Sequence, residues 1–447
     1  MKIQYLTSAS VIIEDKNIKI LCDPWLVDGE YYGSWCHYPP LDFCPEDFNN
    51  VDFIYLSHIH PDHSSLKTLK KMNKNIPVLM HKYETNFFKN VIESTGFQVT
   101  ELLHNKRIRL KDNLHVNILA ADNCDPQLCH KYFGCSIAEN KFGSTSIDSM
   151  AVFDNENEVI VNTNDCPYLL SNKTASIIKS QYQKIDMLLV GYTSASAFPQ
   201  CFNISEDQKI LEKKRLQNMY VEYAEKYVEL FNPQFFFPFA GRYALAGKLA
   251  QLNIFKGAYE LEEAYEYFLK SPKINLEKNK CIILNTRENF DITSGKSSKN
   301  YKPINLEQKN SYIENVLSTM KLDYEYENQP TIEEIISKIP QAYGHFEMKR
   351  KQLQFSSDTK IIIKISNSQN ILISCEGEGF KLISDEDLAE ITNFVKMELD
   401  LRLLKWILDG PRFAVWNNAE IGSHIKYQRN PEKYERGLYY CLSYFHS

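Results

Sequence analysis

The chain has 447 residues, 43% of them hydrophobic and 24% charged, with a formal net charge of −6. That length exceeds one ordinary core, so two domains are expected. The mild acidity suggests no nucleic-acid or anionic-membrane surface, so neither is expected as a partner. From the N-terminus, residues 3–7 and 9–14 alternate apolar and polar, and Ile18-Lys19-Ile20-Leu21-Cys22 follows across an Asp-Lys-Asn turn. This is a hairpin pattern with no apolar core and cleavage site of a signal peptide. The strand closes at Asp23-Pro24-Trp25-Leu26, with Asp23 near the face where a metal is expected. A Tyr/Trp/Pro-rich loop fills 28–44. The apolar run Val51–Ser57 then leads into His58-Ile59-His60-Pro61-Asp62-His63.

Downstream, helices are expected at 64–74 and 83–95, and strands at 76–80, 98–103 and 115–120. A second strand pair reads Ser149–Phe153 and Val159–Thr163, ending at Asn164-Asp165-Cys166. Met187–Val190 is a further buried strand. Ser205-Glu206-Asp207-Gln208 is a capping box that opens a long amphipathic helix to about residue 230. Phe235–Phe239 is the next strand. The polar stretch at about 286–311 reads as a linker, followed by helices at 331–338 and 385–408 with strands 359–366 and 370–374 between them. The expected architecture is α/β: an αββα sandwich over 1–257, then a smaller α+β domain over 258–447. No stretch approaches the ~18 apolar residues of a membrane span. Eleven cysteines, an odd number, fit a reducing cytoplasmic setting with free thiols.

The chemistry concentrates at residues 58–63. A short loop at a strand end can aim three imidazoles and a carboxylate at two points a few ångströms apart, about the ~3.5–4 Å of two-metal sites. Two other features are weaker. Cys124-x4-Cys129-His130-x4-Cys135 could hold a metal, though its spacing is not that of a zinc ribbon, and its thiols also suit ordinary burial. Trp25, Tyr31, Tyr32, Trp35 and Tyr38 cluster in one loop, with Trp25 and Trp35 expected to wall a substrate pocket or else to cover a core edge.

The H-x-H-x-D-H loop resembles the first ligand motif of the metallo-β-lactamase superfamily. Asp23–Leu26, Leu56–Ser65, Asn162–Cys166, Ser194–Pro199 and Phe237–Gly241, in that order, look like the β-lactamase-fold part of CMP-N-acetylneuraminate hydroxylase. Trp416–Gly422 and Gln428–Tyr434 resemble the end of the same family. The resemblance implies His58 and His60 on one metal, Asp62 and His63 on a second metal or on the attacking water, and Asp165 as a bridging ligand. Two departures stand out. The paired C-x-H and C-x-x-H elements of that family's Rieske domain do not occur. The third imidazole, expected within 143–147, and the last, expected near Ala246-Gly247, are absent. Asp148, Asp122, Asp125 and His130 are candidate replacements. A carboxylate there shifts preference from zinc toward iron or manganese.

These features point first to a metal-dependent hydrolase with one or two divalent ions, zinc or iron with manganese as a further option. Asp62 would orient the water. Arg242, after the Phe-Ala-Gly turn, would pair with a phosphate or carboxylate of a small-molecule substrate, or form a surface ion pair. Two alternatives stand beside this: an iron-dependent oxygenase acting on a nucleotide sugar with a separate Rieske or ferredoxin redox partner, and a non-catalytic binding protein.

Overall fold

The structure is a computed structural model that describes residues 1–83, 86–120 and 148–447. Among the described residues, one sheet takes in spatial order Lys296–Ser297, Asn289–Asp291, Lys2–Thr7, Ser10–Asp15, Ile18–Cys22, Phe53–Leu56, Val78–His81 and Val99–Leu102. A second takes Lys280–Cys281, Phe235–Phe239, Met187–Gly191, Val159–Asn162, Ser149–Asp154, Leu114–Ala120 and Ile108–Lys111. Strand alternation decides how they stack. Ile3, Tyr5, Val11, Ile13 and Ile20 meet Val116, Ile118, Phe153, Leu189 and Phe237 in one buried cluster. Their alternates turn outward: Ile12, Leu21 and Ile54 pack on Leu69, Phe88 and Ile92 of helices Leu66–Lys71 and Phe87–Glu93. Val152, Val161 and Leu188 pack on Ala175, Ile178, Val221 and Val228 of helices Tyr168–Gln181 and Glu206–Phe231. Each large apolar side chain so buried contributes about 1.5–3 kcal/mol. The result is the expected mixed α/β layering, helix–sheet–sheet–helix.

The strands Ile18–Cys22, Phe53–Leu56 and Val78–His81 run parallel, as do Val159–Asn162, Met187–Gly191 and Phe235–Phe239. Their carboxyl ends share one rim, where ligands of α/β sheets ordinarily sit. Asn289–Asp291 pairs with Lys2–Thr7, and Asn289–Asp291 with Lys296–Ser297. Residues read as a polar linker are therefore strands of the first sheet, and sandwich strands continue well past residue 257.

Beyond them, a mixed sheet runs Phe380–Ile383, Asn370–Ser374, Lys360–Lys364, Phe394–Glu398, Lys426–Asn430. Helix Ile332–Leu353 lies against it, opened by the Thr331–Glu334 capping box. It runs past its expected end and through Pro340, because Ile335, Ile339, Ala342, Phe346 and Leu353 form one buried stripe. That burial outweighs the ~3 kcal/mol cost of an interior proline. The helix expected at 385–408 is only Leu401–Leu408; Phe394–Glu398 is instead a strand parallel to Lys360–Lys364. The two regions are tied together: Asn203 N donates to Tyr427 O at 2.8 Å, and Tyr427 N to Cys201 O at 2.9 Å. Among the described residues no helix is long and apolar enough to cross a membrane.

Candidate metal centre

Strand Phe53–Leu56 ends at Ser57, and the chain turns at once. Within His60-Pro61-Asp62-His63 the His63 N–H donates to His60 O at 2.9 Å, with proline at the turn position its fixed φ favours. Ser64 Oγ donates to Ile59 O at 2.9 Å, and Ser65 then caps helix Leu66–Lys71 by accepting from Thr68 N at 2.9 Å. The loop is held at both ends, and its imidazoles project from a fixed backbone.

Hydrogen bonds beneath the loop select the tautomers. Asp23, fully buried, accepts from Ser57 N at 2.7 Å, from Ser57 Oγ at 2.6 Å and from His63 Nδ1 at 2.8 Å. Ser57 Oγ has given its one hydrogen to Asp23, so at 3.0 Å from His58 Nδ1 it accepts. Nδ1 of His58 and of His63 thus donates beneath the loop, and their Nε2 atoms face the rim. His60 Nε2 lies 3.3 Å from Asn417 Oδ1, and its Nδ1 faces His58.

These ring nitrogens converge. His58 Nε2 lies 2.8 Å from His60 Nδ1 and 3.3 Å from Asp148 Oδ1. His63 Nε2 lies 3.2 Å from Asp165 Oδ2 and 3.5 Å from Asp62 Oδ2. His58, His60 and Asp148 form one group, and His58, His63 and Asp165 a second, with the donor atoms of each within 4.8 Å of one another. The carboxylates arrive from the other sheet: Asp148 precedes strand Ser149–Asp154, and Asp165 follows Val159–Asn162. Ser149 Oγ donates to Ser57 O at 2.8 Å and Asn164 Nδ2 to Ser149 O at 2.7 Å, which locks the two strand ends together.

The set suits a cation. His63 Nε2 is buried between the carboxylates of Asp165 and Asp62, and His58 Nε2 and His60 Nδ1 lie 2.8 Å apart. Asp23, Asp62, Asp148 and Asp165 surround three imidazoles. Burial raises Asp62 and takes Asp148 up to about 6. Burial opposes a charge on His63, but Asp165, Asp62 and Asp23 outweigh it and hold that imidazole well above its ordinary range. Burial, then His63 and His60, push His58 well below it. Burial would raise Asp165 too, but His63 outweighs it and the carboxyl runs low. A divalent ion would relieve this excess of acceptors, and neutral imidazole with carboxylate is a common donor set for divalent metals.

Asp62 Oδ1 accepts from Tyr31 Oη at 2.5 Å. Tyr31 and its neighbour Tyr32 stand at φ 50° and 58°, a left-handed turn that costs about 1–3 kcal/mol per residue. The C-terminal region clamps it: His424 Nε2 donates to Tyr31 O at 2.7 Å, and Val415 N donates to Tyr32 Oη at 2.8 Å. Tyr31 was read only as part of an aromatic loop, and Asn417 only as part of a tail motif. Nothing local in the sequence marks their contacts with the His loop.

Trp25 and Trp35, expected to wall a substrate pocket, are both 0% exposed, in a cluster with Tyr31 and Tyr243. Rings of that size gain most by full burial. Trp35 stacks on Tyr243 at 3.4 Å. Arg242 lines a separate cavity, described below, rather than the histidine cluster. Trp416 packs locally, its Nε1 donating to Phe445 O at 3.1 Å. Asp122, Asp125, His130 and the Cys124–Cys135 cluster lie outside the described residues.

A family model described as a beta-lactamase superfamily domain matches residues 2–127. That match covers the first part of the chain only, which is similar to this superfamily. The chain is 26% identical over 254 residues to cytidine monophosphate-N-acetylneuraminic acid hydroxylase of Xenopus laevis, a match covering 54% of this chain and 38% of the relative. A putative Rieske 2Fe-2S iron-sulfur protein of Mycolicibacterium smegmatis is 25% identical over 212 residues, covering 46% and 36%. The chain thus spans less than two thirds of these relatives. Among solved structures, isothiocyanate hydrolase from Delia radicum gut bacteria overlaps 65% of this chain and 99% of its own, at TM-score 0.45 and 14% identity. CmlA, a diiron β-hydroxylase from Streptomyces venezuelae, overlaps 65% and 53%, at TM-score 0.41 and 13% identity.

Proposed function

We propose that the protein is a cytoplasmic metal-dependent hydrolase acting on an ester, amide or phosphoester of a small metabolite. His58, His60, Asp148, His63 and Asp165 would hold one or two divalent ions. The observation that carries the reading is that the two ligand groups share His58 and each gathers its donor atoms within 4.8 Å. Bound metal supplies a water whose pKa falls toward neutrality and a positive charge beside the scissile bond. Asp62, fixed at Oδ1 by Tyr31, presents Oδ2 beside His63 Nε2 and accepts the proton of the attacking water. Asp23 keeps His63 in one tautomer and orientation, as carboxylates behind metal-binding imidazoles do. That the described cysteines are free thiols accords with the cytoplasmic setting. Metal analysis of protein purified without chelator tests this: stoichiometric transition metal, lost in His58→Ala, is expected. Trace metal indifferent to that substitution would end the proposal.

A second reading is an iron-dependent oxygenase acting on a nucleotide sugar, with electrons from a separate Rieske or ferredoxin partner. It is supported by the two-imidazole, one-carboxylate composition of each group, which suits non-haem iron, and by the similarity to the hydroxylase. Oxygen consumption that requires iron and an added ferredoxin system favours it. Full activity of zinc-loaded protein without oxygen excludes it.

A further inference from the structure

The chain leaves strand Phe235–Phe239 through Ala240 and Gly241, at φ 71° and 65°. Gly241 is obligatory there, since Thr193 Oγ1 stands 1.4 Å from where a Cβ would lie. This bend delivers Arg242 to a cavity of about 420 Å³, also lined by Lys213, Lys256, Glu260 and Lys309. The cavity lies apart from the histidine cluster. Tyr243 lines it, Trp35 stacks on Tyr243, Tyr31 lies 4.5 Å from Trp35, and Tyr31 in turn reaches Asp62.

Its cations outnumber their partners. Arg242 has five N–H donors, and one is accounted for, Nη1 donating to Tyr5 Oη at 3.2 Å. No carboxylate lies within 4.0 Å of Arg242 or Lys256 among the described residues. Lys256 sits 3.8 Å above the Tyr243 ring and donates to the Tyr243 carbonyl. Among the described residues Lys213 donates to Ile254 O, at 2.9 Å. Two carboxylates share the cavity with these four cations: Glu260, paired with Lys309, and Glu263, which accepts from Glu260 N at 2.9 Å. Half-buried positive charge without a counter-charge is costly, and a planar guanidinium beside two ammonium groups matches an oxyanion. We propose that this cavity is a binding site for the phosphate group of a small molecule, with Arg242 as its fork and Lys256 and Lys309 as flanking charges. The strain on the site is independently visible at Lys256, whose ammonium is pushed down to about 7 by burial and then by Lys309. The inference does not depend on the metal reading.

Thermal unfolding with sulfate, inorganic phosphate or glucose 6-phosphate, against sodium chloride of equal ionic strength, tests the proposal. A ligand-specific rise in Tm is expected for the wild-type protein, with apparent affinity at least about tenfold weaker in both Arg242→Gln and Lys256→Gln. Metal content should be unchanged in both variants. Tighter binding of glucose 6-phosphate than of inorganic phosphate marks an ester as the ligand, and the reverse marks the free ion. If Arg242→Gln fails to fold by circular dichroism, Lys256→Gln decides. No oxyanion-specific shift, or one kept in Lys256→Gln but lost in His58→Ala, would overturn the proposal and in the second case move the anion to the histidine cluster.

Discussion

The hydroxyl of Tyr31 donates to Oδ1 of Asp62 at 2.5 Å, and it does so from a left-handed turn held by His424. Asp62 is 2% exposed, and Tyr31 is the group that settles which of its oxygens faces His63. Tyr31→Phe removes the donor and leaves a buried carboxylate oxygen unpaired, which costs about 1–3 kcal/mol. The variant is expected to unfold at lower temperature and to turn over about 10–100-fold more slowly with its metal retained. Calorimetry with metal analysis separates the effects; unchanged turnover would remove Asp62 from the reaction.

Asp23 accepts three hydrogen bonds beneath the loop. In Asp23→Asn one carboxylate oxygen becomes an NH2 donor, which opposes either Ser57 N–H at the Oδ1 position or the Ser57 hydroxyl and His63 Nδ1 at the Oδ2 position. The hold on the loop and on the His63 ring is then weakened. Metal affinity should fall about 10–100-fold, read by competition with a chromogenic chelator. An unchanged competition curve would show that the imidazoles orient themselves.

Asp148 and Asp165 serve different ligand groups that meet at His58. The one free lone pair of His58 Nε2 serves one ion at a time, so Asp148→Asn and Asp165→Asn should each chiefly weaken the group that carboxylate belongs to. If two ions bind, the expected result is one high-affinity equivalent kept in each single variant and none in the double. Titration of the metal-free protein with cobalt, followed by its visible absorption, measures this directly. Full retention of both ions in Asp165→Asn would put the wrong carboxylate in the site.

Glu30 is buried and accepts from Ser65 Oγ at 2.5 Å, and burial raises its carboxyl to about 7. The unfolded chain ionises this group near its ordinary ~4.3, while the folded chain holds the proton until about 7. Its contribution is therefore present at low pH and lost as pH rises across that window, a difference of about 3 kcal/mol at pH 8. Glu30→Gln keeps the acceptor without the charge. Its Tm should match the wild type near pH 4.5 and exceed it by several degrees at pH 8. A constant difference across that range would contradict the assignment.

Much of the first sheet was legible because its signals are local. Period-two alternation in residues 3–22 fixes which side chains face the second sheet, and the Ser205–Gln208 box starts the helix Glu206–Phe231. The His58–His63 loop is equally local: six consecutive residues after a strand, turned by Pro61, carry three imidazoles to one rim whatever the rest of the chain does. Pairing partners are not local. Asn289–Asp291 reads as linker until it hydrogen-bonds to Lys2–Thr7, and Phe394–Glu398 reads as helix until it lies beside Lys360–Lys364. Trp25 and Trp35 carry no mark in sequence that distinguishes a pocket wall from a core. By itself the sequence determined the fold class and the imidazole half of the His/Asp cluster. Asp165 and Asp148 entered only through the resemblance; the tertiary structure placed them beside those imidazoles and alone decided that Asn417 and His424 would reach back to His60 and Tyr31. Those contacts exist only because two sheets and a distant C-terminal sheet bury their apolar faces together, and hydrophobic burial has no memory of separation along the chain.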